Sequence, residues 1–150
     1  MSGTTTQVAI VEWADRIESA RALELQLASV VGAWVPRVAP TGAKLLLARH
    51  ARHFAWHAEL WDGIVPVLHD RPERSAVVDE SLTGAQAALG AATEPKAVYD
   101  DVVPLVVAAY RQWSSEATPI AERPVMRVLD LVLRDLDFDA QEGHDLFARA

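Results

Sequence analysis

Apolar residues along this chain recur at intervals of three and four, and sustained alternation of apolar and polar residues is missing. This spacing is typical of amphipathic helices and predicts an all-α protein. The first helix is expected to begin near Gln7 and to end before Pro36. Its predicted core-facing stripe is Ile10, Trp13, Ile17, Ala20, Glu24, Leu27, Val31 and Trp34. Glu24 is the one member of this stripe that is not apolar.

A second helix is predicted from about Ala43 to Leu68, and it carries two stripes side by side. One is apolar: Leu47, Ala51, Phe54, Ala58, Trp61 and Val65. The other has histidines at its centre: Leu46, His50, His53, His57, Leu60 and Ile64. Ideal helix geometry places the three imidazoles within an arc of roughly 60° but spreads them over roughly 10 Å of the axis. A single metal ion would therefore take at most two of them.

The segment from Asp70 to Glu94 is interrupted by proline and glycine, and within it Val77–Leu89 is expected to form only a modest helix. A third helix is predicted over about Pro95–Ala117, with a kink at Pro104. A fourth opens at Pro119 or Pro124, and a short helical tail follows. Two helices, a long crossover and two further helices predict a single ferritin-like four-helix-bundle domain over residues 1–150, with the crossover between helices two and three.

Composition limits the classes of partner. A formal net charge of −7 argues against a nucleic-acid surface, which needs an excess of clustered Lys and Arg. No apolar run approaches the roughly 20 residues that cross a bilayer, and the first residues lack the pattern of a secretion signal. The chain is therefore expected to be cytoplasmic, without a nucleic-acid or membrane partner. The absence of cysteine excludes disulfides and thiol chemistry.

Glu24 and the histidines are the first candidates for chemistry. A carboxylate buried in an apolar stripe must be paired, protonated or coordinated, whereas one at the edge of the stripe would reach water. If the first two helices are antiparallel about a turn near Val38, Glu24 lies level with residues 52 and 53. This predicts a contact between Glu24 and His53, with His50 and His57 within a turn on either side.

Such a pair could act as a general acid and base near neutral pH, because a carboxylate raises the pKa of a nearby imidazole. The alternative is that the histidines form a polar layer against neighbouring carboxylates or arginines. On the later helices, Asp135 lies on the stripe Val128, Leu131, Asp135 and Phe138, and Asp101 stands at a similar depth on the third helix or faces solvent.

One further face of the second helix carries Arg49, Arg52, Trp56 and Glu59. If the core takes the other stripes, this face is exposed or contacts another subunit. Trp56 is an unusual choice for a fully exposed position, so a homodimer contact is a reasonable expectation.

Two segments resemble ferritin-like di-iron carboxylate proteins. "FAWHAELW" (Phe54–Trp61) is similar to that family's helix-two pattern E-x-x-H-A-x-L-W, and "PVMRVLDLVLRDLDFD" (Pro124–Asp139) is similar to its helix-four pattern ending in D-E-x-x-H. The resemblance implies that His57 is the helix-two histidine ligand and that Asp135 is the aspartate supporting the histidines. Glu24 would be the helix-one carboxylate and Asp101 the nearest helix-three candidate.

The same resemblance shows which ligands are replaced. Phe54 and Leu136 stand where the family has glutamates, and Asp139 stands where it has a histidine. An ordinary di-iron centre, which needs about four acids and two histidines, is therefore not expected. An interior whose ligands are partly replaced by apolar side chains could instead hold an organic molecule.

Three functions follow. The preferred one is an enzyme or ligand-binding protein acting on a small molecule through Glu24, His53 and His57, with no cofactor preferred. The second is an oxidoreductase with a mononuclear or rearranged di-iron site, using iron or manganese held by Glu24, His57 (or His53) and Asp135. The third is a non-catalytic helical interaction module whose histidines are polar packing.

Overall fold

The computed structural model describes residues 8–69, 78–119 and 121–148. These residues form five helices: α1 (Ile10–Trp34), α2 (Thr41–Asp62), α3 (Thr83–Ala91), α4 (residues 95–116) and α5 (Arg123–Phe147). A 3-10 turn, Glu80–Leu82, leads into α3. The described ranges contain no strand, so the prediction of an all-α protein is confirmed. None of the described helices is long and apolar enough to cross a membrane.

The long helices pack antiparallel in pairs. Along the α1–α2 hairpin, Gly32 lies beside Ala51 near one end and Arg21 pairs with Asp62 towards the other. In the α4–α5 pair, Asp100 contacts His144 and Arg111 contacts Asp137.

The two pairs join through α1–α4 and α2–α5 contacts, which are also antiparallel. Arg16 of α1 bonds Glu116 at the end of α4, and the histidines of α2 bond acids of α5 in reverse order. As a result α1 and α5 run in one direction, and α2 and α4 run in the other.

Most of the predicted core stripes are buried. In α1 the stripe from Trp13 to Val31 faces inward, but Ile10 is 58% exposed, so its assignment to the core was wrong. The buried members of the apolar α2 stripe are Leu47, Phe54, Ala58 and Trp61. On α5 the buried residues are Val125, Val128, Leu129, Val132, Leu136, Asp139 and Gly143.

Two predicted helix limits change, and the predicted opening of the fourth helix at Pro124 is confirmed. The second helix ends at Asp62 rather than Leu68, since Pro66 has no N–H to bond the Asp62 carbonyl and disfavours a helical residue before it. The fourth opens at Arg123 with Pro124 in its first turn. The expected separate tail is part of α5, which continues to Phe147. The predicted helix starts at Gln7 and Val77 lie outside the described residues.

Pro104 interrupts α4 as a π turn. The helix consists of Pro95–Ala97, a π segment Val98–Val102 and Val103–Glu116, and the Val103 N–H bonds the carbonyl of Val98, five residues earlier. A proline cannot donate to the carbonyl four residues before it, so the helix widens just ahead of Pro104. Tyr99 lies within this widened turn.

Tyr99 packs directly on a glycine of α5. A Cβ placed at Gly143 would lie 2.5 Å from Cγ and Cε1 of Tyr99, far inside van der Waals contact. The Tyr99 ring also stacks on Phe147, with the centroids 5.8 Å apart. Gly143 is therefore required by the close approach of the tyrosine ring.

We expect Gly143→Ala to lower the free energy of unfolding by about 1–3 kcal/mol, because the added methyl group must displace the Tyr99 ring. Urea unfolding followed by far-UV circular dichroism measures the change. Gly90→Ala is the matched control: no atom lies within 4 Å of its Cβ position, and alanine in a helix is favoured by up to about 1 kcal/mol. Equal stability of G143A and wild type would contradict the packing role.

Candidate functional site at the α2–α5 seam

Glu24 is a fully enclosed carboxylate that accepts three hydrogen bonds. His57 Nδ1 lies 2.8 Å from Oε1, while Trp61 Nε1 and the Tyr110 hydroxyl donate to Oε2 at 2.7 and 3.0 Å. Glu24, His57, Trp61 and Tyr110 are all 0% exposed. The expectation that Glu24 points inward and is paired is confirmed, and its placement at the edge of the stripe is ruled out.

His57 joins Glu24 to a second acid. Its Nε2 lies 2.9 Å from Oδ2 of Asp135, whose side chain is 34% exposed. Burial lowers the pKa of His57, but its hydrogen bonds to Glu24 and then Asp135, together with their charges, outweigh burial and raise the pKa above the ordinary value. With a carboxylate at each nitrogen, both ring N–H groups donate, and the ring is an imidazolium.

His53 does not contact Glu24 as predicted. It bonds Oδ2 of Asp139 through Nδ1 at 2.7 Å, and its side chain is 32% exposed. Glu24 is paired instead with His57, one helical turn further along α2. The predicted grouping of Glu24 with an imidazole is confirmed, but the identity of that imidazole was wrong.

His50 is fully buried between a tyrosine and an acid. Nδ1 lies 2.7 Å from the Tyr99 hydroxyl and Nε2 lies 3.1 Å from Oε1 of Glu142. Burial lowers the pKa of His50, and burial followed by the charges of Asp139 and Glu142 raises the pKa of Tyr99. A neutral His50 fits both contacts, with the tyrosine O–H donating to Nδ1 and Nε2–H donating to Glu142. Arg49 fixes Glu142 with bonds of 2.5 and 2.6 Å.

These contacts form one repeating arrangement, the histidine–acid seam: His57 with Asp135, His53 with Asp139 and His50 with Glu142. From His57 the seam goes back along α2 by four and then three residues, and from Asp135 it goes forward along α5 by the same numbers. Antiparallel helices with the same turn spacing bring all three pairs into register. The polar-layer alternative is therefore confirmed as a description of the geometry.

The remaining residues singled out from the sequence lie outside the seam or fill the core. Asp101 is exposed, which confirms the alternative that it faces solvent, and its candidacy as a helix-three ligand was wrong. Of the stripe predicted through Asp135, Val128 is buried, but Leu131 and Phe138 are 40% and 65% exposed, and Asp139 is the deeply buried acid of α5. Phe54 and Leu136 fill core positions, where the resemblance implied replaced glutamates.

The predicted metal ligands Glu24, His57 and Asp135 are adjacent but do not converge. The two carboxylates contact opposite nitrogens of one imidazole ring. Because these nitrogens point in different directions, a single ion could not be shared by all three groups in this arrangement. The geometry favours a hydrogen-bonded chain, which we call the Glu24–His57–Asp135 chain.

Sequence reasoning missed several partners of the site. Trp61 was predicted only as a core residue, and Tyr110, Glu142 and Tyr99 were not singled out. The available signals were that a buried phenol or indole needs a hydrogen-bond partner, and that Gly143 within a helical pattern indicates close packing.

No family model, curated protein or solved structure matches the chain.

We expect Glu24→Gln to destabilise the protein by roughly 3 kcal/mol, because it leaves the buried His57 imidazolium without its main counter-charge. The midpoint and slope of urea unfolding at neutral pH measure this loss. Glu59→Gln, an exposed acid on α2, should change the free energy of unfolding by less than about 0.5 kcal/mol. Similar values for the two variants would show that the Glu24 charge is not needed.

The raised pKa of His57 predicts a pH dependence. A group whose pKa is higher in the folded state stabilises fully below its unfolded pKa, and this contribution is lost as pH rises through the folded pKa. The stability difference between wild type and His57→Gln should therefore be largest below pH 6.5 and shrink at higher pH. Chemical unfolding across this range tests it, with the exposed His144→Gln as control. A difference that grows with pH would contradict the assignment of an imidazolium.

Proposed function

We propose that this protein is a ferritin-like bundle that binds a small organic molecule where the Glu24–His57–Asp135 chain reaches the surface. The helix directions support the fold part of the proposal: α1 and α5 run opposite to α2 and α4, and a long connection separates α2 from α4. A four-helix bundle with one crossover between its second and third long helices has this arrangement.

The observation that carries the functional proposal is the contrast between the two ends of the Glu24–His57–Asp135 chain. Glu24 is enclosed, whereas the Asp135 carboxylate is 34% exposed. Leu131 and Phe138 flank Asp135 on the same face of α5, at four residues before and three after it, and both are exposed. Trp56, 43% exposed, lies with its ring 5.8 Å from that of His57. A fixed carboxylate thus shares its helix face with two exposed apolar side chains, and an exposed indole lies beside its imidazole partner.

Such a surface suits an apolar molecule carrying a basic nitrogen. The carboxylate pairs with the cation, and the faces of Trp56 and Phe138 add cation–π attraction. Glu24 acts through His57 as a positioning residue, and His53, partly exposed on the same seam, can reach a bound molecule. Proton exchange with that molecule would take place at Asp135 or His53.

Phenethylamine is a suitable probe, with phenethyl alcohol as its neutral counterpart. We expect the amine to shift the Trp56 indole N–H signal in two-dimensional NMR, and Asp135→Asn to weaken this binding by about tenfold, the loss of roughly 1.4 kcal/mol of ion pairing and cation–π attraction. Asp137→Asn, an exposed acid that pairs with Arg111, is the control. Equal binding of the alcohol, or unchanged affinity in D135N, would overturn the proposal.

One observation favours a second candidate, the non-catalytic interaction module. Every histidine of the seam is paired with an acid, and Glu24 lies in a closed interior. Under this alternative the exposed Trp56, Leu131 and Phe138 would contact a partner protein or a second copy of the chain. Neither amine binding nor an effect of D135N on it would then occur, while H57Q would change stability alone.

A further inference from the structure

A second group of side chains in the seam converges on one point. One ligand atom each from His50, Asp139 and Glu142 lies within 4.8 Å of the others. His50 Nε2 is 3.1 Å from Oε1 of Glu142 and 3.4 Å from Oδ1 of Asp139. Donor atoms that share a metal ion at its usual bond lengths lie about 3.0–3.5 Å apart. The two distances from His50 Nε2 therefore suit a common ion.

Asp139 carries a buried oxygen that no hydrogen bond satisfies. Its side chain is 2% exposed, and Oδ2 accepts from His53, but Oδ1 has no hydrogen-bond partner in the part of the chain that the structure describes. His50 Nε2 lies 3.4 Å from Oδ1 but makes its hydrogen bond with Glu142. A buried carboxylate oxygen without a partner is costly, and a cation between Oδ1, Nε2 and Oε1 would remove that cost.

The surrounding groups hold the three side chains in place. His53 orients Asp139 and Arg49 orients Glu142. The Tyr99 hydroxyl contacts Nδ1 of His50. A histidine that ligates a metal through one nitrogen commonly donates its other N–H to such a neighbour, which fixes the ring. Binding at Nε2 would place the proton on Nδ1, and the Tyr99 oxygen would accept it.

We infer that His50, Asp139 and Glu142 form a mononuclear site for a divalent transition metal of the zinc, iron or manganese class. One imidazole and two carboxylates suit these borderline and hard ions, and three protein ligands leave coordination positions for water or another molecule. Glu142, 28% exposed, provides the side open to solvent. The site shares no ligand with the Glu24–His57–Asp135 chain and does not depend on the proposed amine binding.

Zn²⁺ alone is the probe for the first test. The full chain, stripped with a chelator, is titrated with Zn²⁺ in competition with a chromophoric chelator. We expect one ion per chain with micromolar or tighter affinity, about a hundredfold loss in Glu142→Gln, and about a tenfold loss in Tyr99→Phe. Asp145→Asn, an exposed acid one turn further along α5, should bind as wild type. Asp135→Asn should also retain binding, which separates this site from the amine site.

A second measurement uses the wild-type protein and so does not depend on a variant folding. Two-dimensional ¹H–¹⁵N spectra of the imidazole rings should show Zn²⁺ shifting Nε2 of His50 and fixing its Nδ1 proton, with the His144 ring unchanged. Millimolar binding, unchanged affinity in a folded E142Q protein, or a response confined to His144 or His69 would overturn the proposal.

Discussion

The burial of one carboxylate constrains the whole helix arrangement. Glu24 projects from α1 into the interior, and its three donors come from α2 and α4. An unpaired charge at this depth would cost several kcal/mol, so the three helices must meet at a depth that brings all three donors to one acid. The apolar stripes alone would tolerate sliding of one helix along another; the paired charge does not.

This constraint extends to α5 through His57. Once Glu24 fixes Nδ1, Nε2 points at α5, where Asp135 accepts it. The turn spacing that α2 and α5 share then brings His53 to Asp139 and His50 to Glu142. The π turn of α4 holds Tyr99 against Gly143, with its hydroxyl at His50. The His50–Glu142 end of the seam is thereby positioned by the π turn of α4 and by the lack of a side chain at Gly143.

Hydrophobic spacing predicts the long helices and the inward direction of Glu24 because both depend on positions within one helix. The register between helices depends on the loops, which spacing does not describe. The contacts of Gly32 with Ala51 and of Arg21 with Asp62 centre the hairpin near residues 41 and 42 instead of Val38. Glu24 therefore lies level with the turn of α2 that carries His57, one turn beyond His53. On α5, Asp135 and Asp139 both continue an apolar stripe, and only the packing against α2 determines that Asp139 is the deeper acid.

The two most deeply buried acids of the described residues, Glu24 and Asp139, differ in a way that bears on function. Both oxygens of Glu24 are occupied by donors from the protein, as expected for a group whose task is to join helices. Asp139 is almost as deeply buried, yet one of its oxygens has no hydrogen-bond donor among the described residues and lies beside an imidazole nitrogen and a second carboxylate. The bond from His53 to Oδ2 accounts for one oxygen of Asp139 but leaves Oδ1 without a donor among the described residues. The inferred cation would lie beside this oxygen, so Asp139 would bind a ligand from outside the protein whereas Glu24 joins the helices.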